Sequence, residues 1–170
     1  MDAQHIQRIE QSIVRAVVGN VSDVMDGDWE DRHWAHLFVD IEIAQDGERD
    51  SSTTFALAHK PGQPLEKVSF RLPREAKRLF GELAEAMRRP GDDRWSSAQL
   101  RVERDGSYAL EFSYDPPWRL SGNLIDKRFK DYLDRWLATP EGRQFAQEAC
   151  TPRGGGWDKL VRLLRSVSKT

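Results

Sequence analysis

The chain has 170 residues, of which 32% are charged, and its formal net charge is −2. This length predicts one main folded domain that is large enough to bury a core. A charge so close to neutral is not that of a protein that holds nucleic acid through bulk electrostatics. The single cysteine, Cys150, excludes an intrachain disulfide framework and a zinc site built from several cysteines.

The sequence carries no targeting or membrane signal. No apolar run approaches the roughly 18 residues that a transmembrane helix needs. The N-terminal residues Met1–His5 lack the basic and then apolar pattern of a signal peptide. We therefore expect a cytoplasmic protein that does not contact a membrane.

Hydrophobic spacing predicts the elements of the first half of the chain. Apolar residues recur at helical spacing from residue 3 to about 21, and a polar, acidic loop follows over 23–31. Strict alternation predicts a strand over 37–43. Two further β-rich stretches, 53–59 and 65–72, predict the next two strands.

The second half is predicted to be mostly helical apart from one hairpin. Pro73 opens a helix, because its fixed dihedral suits the first helical position, and Pro90-Gly91 ends that helix. Helices are predicted around 129–137 and, capped by Thr139, from Pro140 to about Cys150, which we expect to be a small buried residue. A glycine break at 154–156 precedes a last amphipathic helix, which carries basic residues.

Residues 94–114 predict a β-hairpin whose register can be derived. A two-residue turn would mix polar and apolar faces, whereas a three-residue loop at 104–106 pairs Val102 with Tyr108 and Leu100 with Leu110. That loop also places Gly106 at the position that needs a left-handed conformation. One face is then apolar, and the polar face is expected to be solvated or to bind a partner.

The predicted order is helix, three strands, helix, two strands and further helices. Strands joined as hairpins favour an antiparallel sheet, with helices packed on one face. We expect an α+β fold with about five strands and extra C-terminal helices. The predicted organisation is one domain over residues 1–138 and a helical extension over 139–170.

The hairpin also carries a family resemblance. Its features are Trp95 before the fourth strand, the pattern Arg-Asp-Gly-Ser-Tyr-x-Leu-Glu-Phe-x-Tyr-Asp at 104–115, and the preceding helix, meander and Pro-started helix. Together they make residues 5–137 resemble the YezG-like immunity (antitoxin) family. The resemblance implies that this chain is an immunity protein of a bacterial polymorphic-toxin system. Such a protein binds its cognate toxin, which is often a nuclease, and blocks it. It implies no set of toxin-contacting residues.

Acidic residues cluster between Val21 and Asp50, with ten acids against two arginines. Such a cluster steers a basic partner, and a nuclease needs a cationic groove for phosphates. The alternative is a solvated loop region that charge keeps soluble. The candidate partner-binding residues are Asp23, Asp26, Asp28, Trp29, Glu30, Asp31, Asp46, Glu48, Asp50 and Trp118.

The tryptophans and histidines also have alternative roles. Trp29, Trp34 and Trp118 lie in or near predicted loops, where they either anchor a partner or cover the ends of the core. If His33 and His36 lie on a strand, we expect them to face opposite sides, where they cannot bind one ion. In a helical turn they could bind one, but no third ligand is evident, so no metal site is predicted. No cofactor motif or oriented nucleophile is evident.

These observations leave three functional hypotheses. The first is an immunity protein that occludes the active site of a toxin and has no enzymatic activity of its own. The second is an adaptor that uses the polar face of the sheet without any toxin. The third is a small enzyme, which predicts a deep pocket with converging titratable groups.

Overall fold

The computed structural model describes residues 3–91, 93–123 and 125–150. Five antiparallel strands form one sheet in the order β3-β2-β1-β4-β5. The α+β prediction is therefore confirmed. The elements in chain order are α1 (Ala3–Gly19), β1 (His33–Ile43), β2 (Asp50–His59), β3 (Glu66–Ser69), α2 (Arg74–Ala86), β4 (Ser97–Glu103), β5 (Tyr108–Ser113), α3 (Tyr132–Leu137) and α4 (Pro140–Cys150).

Helices α1 and α2 pack on one face of the sheet and enclose the main core. Because side chains alternate along a strand, the odd residues of β1 from Leu37 to Ile43 all point to this face. The apolar stripe of α1, represented by Ile13 and Val17, and the stripe of α2, represented by Phe80, are buried in the same cluster. The helical and alternating patterns of the sequence therefore meet in one core.

The hairpin has the predicted register. Val102 pairs with Tyr108 and Leu100 with Leu110. The Glu103 N–H donates to the Ser107 carbonyl at 2.9 Å, and Gly106 has a φ of 87°. This is the three-residue loop with a left-handed glycine that the alternation required.

Element ends differ slightly from the sequence prediction. Strands β1 and β2 begin four and three residues earlier than expected, at His33 and Asp50. Helix α2 begins at Arg74, directly after Pro73, and ends at Ala86, before Pro90-Gly91. Such shifts are ordinary, because the last turn of an element depends on contacts that periodicity does not encode.

The chain divides into two compact units, Met1–Arg128 and the part from Phe129 onward. In the second unit, the Trp136 and Phe145 rings lie 6.0 Å apart, and the Gly142 N–H donates to the Thr139 hydroxyl at 3.1 Å. Thr139 therefore caps α4 as predicted.

Several sequence predictions concern residues that the structure does not describe. The glycine break at 154–156, the last basic helix and the side chain of Cys150 lie outside the described residues. Within the described ranges, no helix combines the length and apolar character needed to cross a bilayer.

The hairpin glycine gives a direct test of the fold. A Cβ at Gly106 meets no atom within 4 Å, so the substitution Gly106→Ala adds only the left-handed strain. We expect it to lower the free energy of unfolding by about 1–2 kcal/mol in urea denaturation. Gly19→Ala, which also enters open space but has no positive φ, is the matched control and should not destabilise the protein. Equal losses in both variants would contradict the assigned loop.

Candidate partner-binding surface

Two carboxylates lie on the face of β1 that is opposite α1 and α2. Asp40 and Glu42 alternate with the core residues of the strand, and both side chains are 1% exposed. Buried carboxylates are costly unless charged groups and hydrogen bonds compensate them. Gln99 Nε2 of β4 donates to Asp40 Oδ2 at 3.0 Å. The other partners described below come mainly from the segment that follows the hairpin, residues 115–128.

Glu42 holds the backbone of this segment. Its carboxylate accepts hydrogen bonds from the N–H groups of Trp118 at 3.0 Å, Arg119 at 2.8 Å and Leu120 at 3.0 Å. Three consecutive donors directed at one carboxylate fix both the position and the orientation of this turn. A charged acceptor makes each of these bonds stronger than a neutral one.

Arg119 fastens the same turn to β1 and β2. Its Nη1 lies 2.6 Å from Asp40 Oδ1 and donates to Asp126 Oδ2 at 3.1 Å. The Nε donates to the Ser51 hydroxyl at 3.0 Å, and Nη2 donates to the Ser51 and Asp40 carbonyls. The contact with Asp40 Oδ1 is an ion pair without hydrogen-bond geometry. The guanidinium thus has partners on three parts of the chain.

Arg128 closes the network from the end of the segment. Its Nη2 donates to Asp126 Oδ2 at 2.6 Å and lies 3.4 Å from Glu42 Oε1. The hydrogen bond from Arg128, with help from Arg119, lowers the pKa of Asp126 to about 2. A depressed carboxyl pKa contributes stability that is lost only as the pH falls through that value. We call Asp40, Glu42, Ser51, Arg119, Asp126 and Arg128 the Arg119 network.

The network holds an exposed aromatic ring next to the buried charges. Trp118 follows Pro116-Pro117, and 44% of its surface is exposed although its backbone is fixed by Glu42. Ile125, in the same segment, is 73% exposed. Large apolar side chains on a rigid turn lose little entropy when a partner covers them, so this is a suitable place for a binding anchor.

The structure separates the predicted partner-binding residues into two groups. Asp23, Asp26, Asp28, Trp29, Glu30 and Asp31 lie in the loop before β1, which we call the acidic loop. Asp46 and Glu48 lie in the turn between β1 and β2, which we call the acidic turn, and Asp50 begins β2. Since β1 has 11 residues, its two ends are about 30 Å apart. The acidic turn lies at the end of β1, and the acidic loop begins beside the end of β3, where the Met25 N–H donates to the Ser69 carbonyl, and leads to the start of β1.

Trp118 belongs with the acidic turn. Glu42, which holds the backbone of Trp118, pairs with Ser51 across β1 and β2, and the acidic turn begins two residues beyond Glu42. The structure therefore brings Trp118, Asp46, Glu48 and Asp50 to one end of the sheet. The part of the acidic loop that directly precedes β1, with Glu30 and Asp31, lies at the other end.

Some of these acids are neutralised within the fold. Asp23 pairs with Arg71 at 2.9 Å, Asp50 pairs with Lys77 at 2.6 Å, and Glu30 contacts Lys60. The hydrogen bond from Lys60 lowers the pKa of Glu30, so this carboxylate stays ionised at neutral pH. Within the described residues, the acids of the set that have no ion-pair partner are Asp26, Asp28, Asp31, Asp46 and Glu48.

The tryptophans divide in the same way. Trp29 and Trp34 are half-buried and pack against the main core, as expected for rings that cover the ends of the core. Trp118 is the exposed one of the three. The candidate Trp29 therefore has less surface to offer a partner than the candidate Trp118.

The expected orientation of the two neighbouring histidines was wrong. A β-bulge between Trp34 and His36 adds one residue to β1, so His33 pairs with His59 and His36 pairs with Leu57. His59 and Leu57 share a face of β2, and His33 and His36 therefore share a face of β1. His36 Nδ1 lies 2.8 Å from Glu103 Oε1. No group of three or more potential metal ligands occurs among the described residues.

The Arg119 network was not predicted from the sequence. Asp40 and Glu42 were counted as part of the acidic cluster, although they alternate with core residues in a strand. The signals in the sequence that pointed to the network were that alternation and the later Pro-Pro-Trp-Arg turn. They were incomplete, because nothing local to β1 indicates that its polar face is met by a segment more than 70 residues away.

Comparison with known proteins adds no assignment. No protein-family model matches this chain, and no curated protein matches it either.

The Arg119 network is expected to be a main source of stability for the first unit. Replacing Arg119 by methionine removes the cation 2.6 Å from the buried Asp40 and leaves Arg128 at 3.8 Å, so we expect a loss of about 3–5 kcal/mol in the free energy of unfolding. Arg78→Met is the matched control, because Arg78 pairs only with exposed acids of α2. Urea denaturation of both variants measures the difference. A loss no larger than that of the control would contradict the structural role of the network.

His59 is expected to make stability depend on pH. Burial lowers the pKa of His59, and the nearby charges of His33 and Arg104 lower it further. As the pH falls below the ordinary histidine value of about 6.5, the unfolded chain takes up a proton before the folded one does, so stability falls. We expect His59→Gln to reduce the loss of stability between about pH 7.5 and 5. His5→Gln, at an exposed site of α1, is the control; an unchanged pH dependence in His59→Gln would refute the assignment.

Proposed function

We propose that this chain is an immunity protein that binds a basic protein toxin of the nuclease kind and blocks its active site. It would act in the cytoplasm, by binding rather than by catalysis. The observation that carries the proposal is Trp118, an exposed aromatic ring on a turn that a buried carboxylate holds rigid. The acidic turn beside it supplies charge of the sign that a phosphate-binding groove attracts.

The hairpin supports the proposal in a different way. Trp95 is 1% exposed and its ring lies 5.4 Å from that of Phe112, while Leu100 and Val102 are buried in the same core. Of the residues that carry the YezG-like resemblance, Trp95 is buried, and Tyr108, Leu110 and Phe112 are half-buried against the same core. These residues support a shared fold.

The two acidic groups are given different roles. An interface of ordinary size covers about 800 Å² on each protein and is about 30 Å across. One such interface cannot be centred on both ends of β1. We assign direct contact to Trp118 and the acidic turn. Asp26, Asp28 and Asp31 of the acidic loop would act through the field, which guides a basic partner before contact.

Kinetics separate these roles. Trp118→Ala removes a central anchor, so we expect the dissociation rate to rise about 30-fold, with little change in the association rate. The double variant Asp26→Asn/Asp28→Asn should lower the association rate and its salt dependence, and leave dissociation unchanged. The matched control is Glu75→Gln/Glu82→Gln, which removes the same charge from α2 at acids that pair with Arg78.

The probe is the polypeptide encoded directly beside this chain, because immunity genes lie next to their toxin genes. Growth on co-expression tests neutralisation, and surface plasmon resonance with purified proteins measures the rates. We expect the wild-type chain to restore growth and Trp118→Ala to restore it poorly. Absence of both binding and rescue by the wild-type chain would overturn the proposal.

A further inference from the structure

The two edges of the sheet differ in how they are protected from pairing. β3 is four residues long and begins with the charged pair Glu66 and Lys67. β5 has six residues, Tyr108–Ser113, without proline, and alternates apolar residues with Ala109 and Glu111. Within the residues that the structure describes, no strand lies beyond β5. Edges of this kind are templates for a further strand.

The ladder shows which backbone groups of β5 face outward. The Glu103 N–H bonds the Ser107 carbonyl, and hydrogen-bonded pairs alternate along an antiparallel ladder. Ala109 and Glu111 therefore direct their backbone groups to β4. Tyr108, Leu110 and Phe112 direct theirs away from it, and in the described chain none of these three makes a backbone hydrogen bond outside the strand ladder.

We infer that β5 pairs with β5 of a second copy of this chain, antiparallel, about a two-fold axis at Leu110. In this register Leu110 pairs with the partner's Leu110, and Tyr108 pairs with the partner's Phe112. The outward N–H and C=O groups then bond one another, and the two sheets become continuous. The inference does not depend on the proposed toxin.

The sequence of β5 is self-complementary in this register. The aromatic residues at its two ends meet across the axis on the helix side of the sheet, where Tyr108, Leu110 and Phe112 are half-buried in each copy. Aromatic pairs opposite each other stabilise antiparallel strands. On the other side, Ala109 lies opposite the partner's Glu111, so the carboxylates do not face each other. A shift that centres the axis on Glu111 would oppose two like charges.

Charge substitutions at Ala109 test the pairing without disturbing the single copy. Ala109 is exposed and pairs with Arg101 of β4, so the carboxylate of Ala109→Glu lies beside this cation within the folded chain and shares it with Glu111. Across the axis the new carboxylate faces the partner's Glu111. We expect the dissociation constant of the dimer to rise about tenfold. In the double variant Ala109→Glu/Glu111→Lys, each new acid faces a lysine, and dimerisation should return.

Sedimentation equilibrium of the full chain measures the dimer, with circular dichroism to verify that each variant is folded. Pairing along one edge is expected to be weak and to appear as the concentration rises toward about 1 mM. A wild-type chain that remains monomeric at that concentration would overturn the inference. So would a dimer that Ala109→Glu leaves intact, or one that the double variant fails to restore.

Cysteine pairs test the register. Residues directly opposite each other lie about 4.5–5.5 Å apart and diagonal ones about 7–8 Å, and only the first spacing suits a disulfide. The variants Ala109→Cys and Glu111→Cys are each made in a Cys150→Ser background. When the two proteins are mixed and oxidised, we expect a disulfide between one copy of each. When either protein is oxidised alone, we expect little disulfide. Equal yields from the separate and the mixed samples would refute a two-fold axis at Leu110.

Discussion

The carboxylate of Glu42 is the constraint on which the second face of the sheet depends. A glutamate at this point of the central strand is buried, so its charge has to be met by groups that the strand itself cannot provide. Three successive N–H groups of the 115–128 segment meet it, and Arg119 between them meets Asp40. The cost of burying one side chain therefore determines the path of a segment far away in sequence. It also determines where Trp118 lies, and the guanidinium of Arg128 is 5.8 Å from the centre of the indole ring.

The two faces of the sheet are thus built by different physical means. The face toward α1 and α2 is held by apolar packing, which tolerates exchange between residues of similar volume. The opposite face, around Asp40 and Glu42, is held by charged groups that need their partners in place. Loss of Arg119 would leave several acceptors unsatisfied at once, whereas loss of one core methyl group would leave a small cavity. A turn fixed by such a network moves little, which is what a binding anchor needs.

Much of the fold could be predicted from periodicity, because local patterns encode it directly. The three-residue loop at Gly106 followed from keeping the apolar residues of both strands on one face. The orientation of His33 and His36 did not follow, because the bulge beside Trp34 inserts one residue that alternation does not reveal. The Arg119 network is a long-range arrangement, and a single sequence gives no sign that Glu42 and the turn at Trp118 belong together. Local structure could therefore be predicted from the sequence, whereas contacts between distant segments could not.

Counting charges along the sequence overstated the negative field around the first strand. Asp23 and Asp50 are neutralised by Arg71 and Lys77, which come from later parts of the chain, and Glu42 is buried. The acids that remain without an ion-pair partner in the described chain lie in the acidic turn, at the end of β1, and in the acidic loop, which leads from the end of β3 to the start of β1. A partner in contact with one end still experiences the other through solvent, but screening over about 30 Å at physiological salt leaves little of that attraction in the bound complex. The field from the far end therefore contributes to the approach of a partner rather than to the lifetime of the complex, and contact energy has to come from the end that carries Trp118.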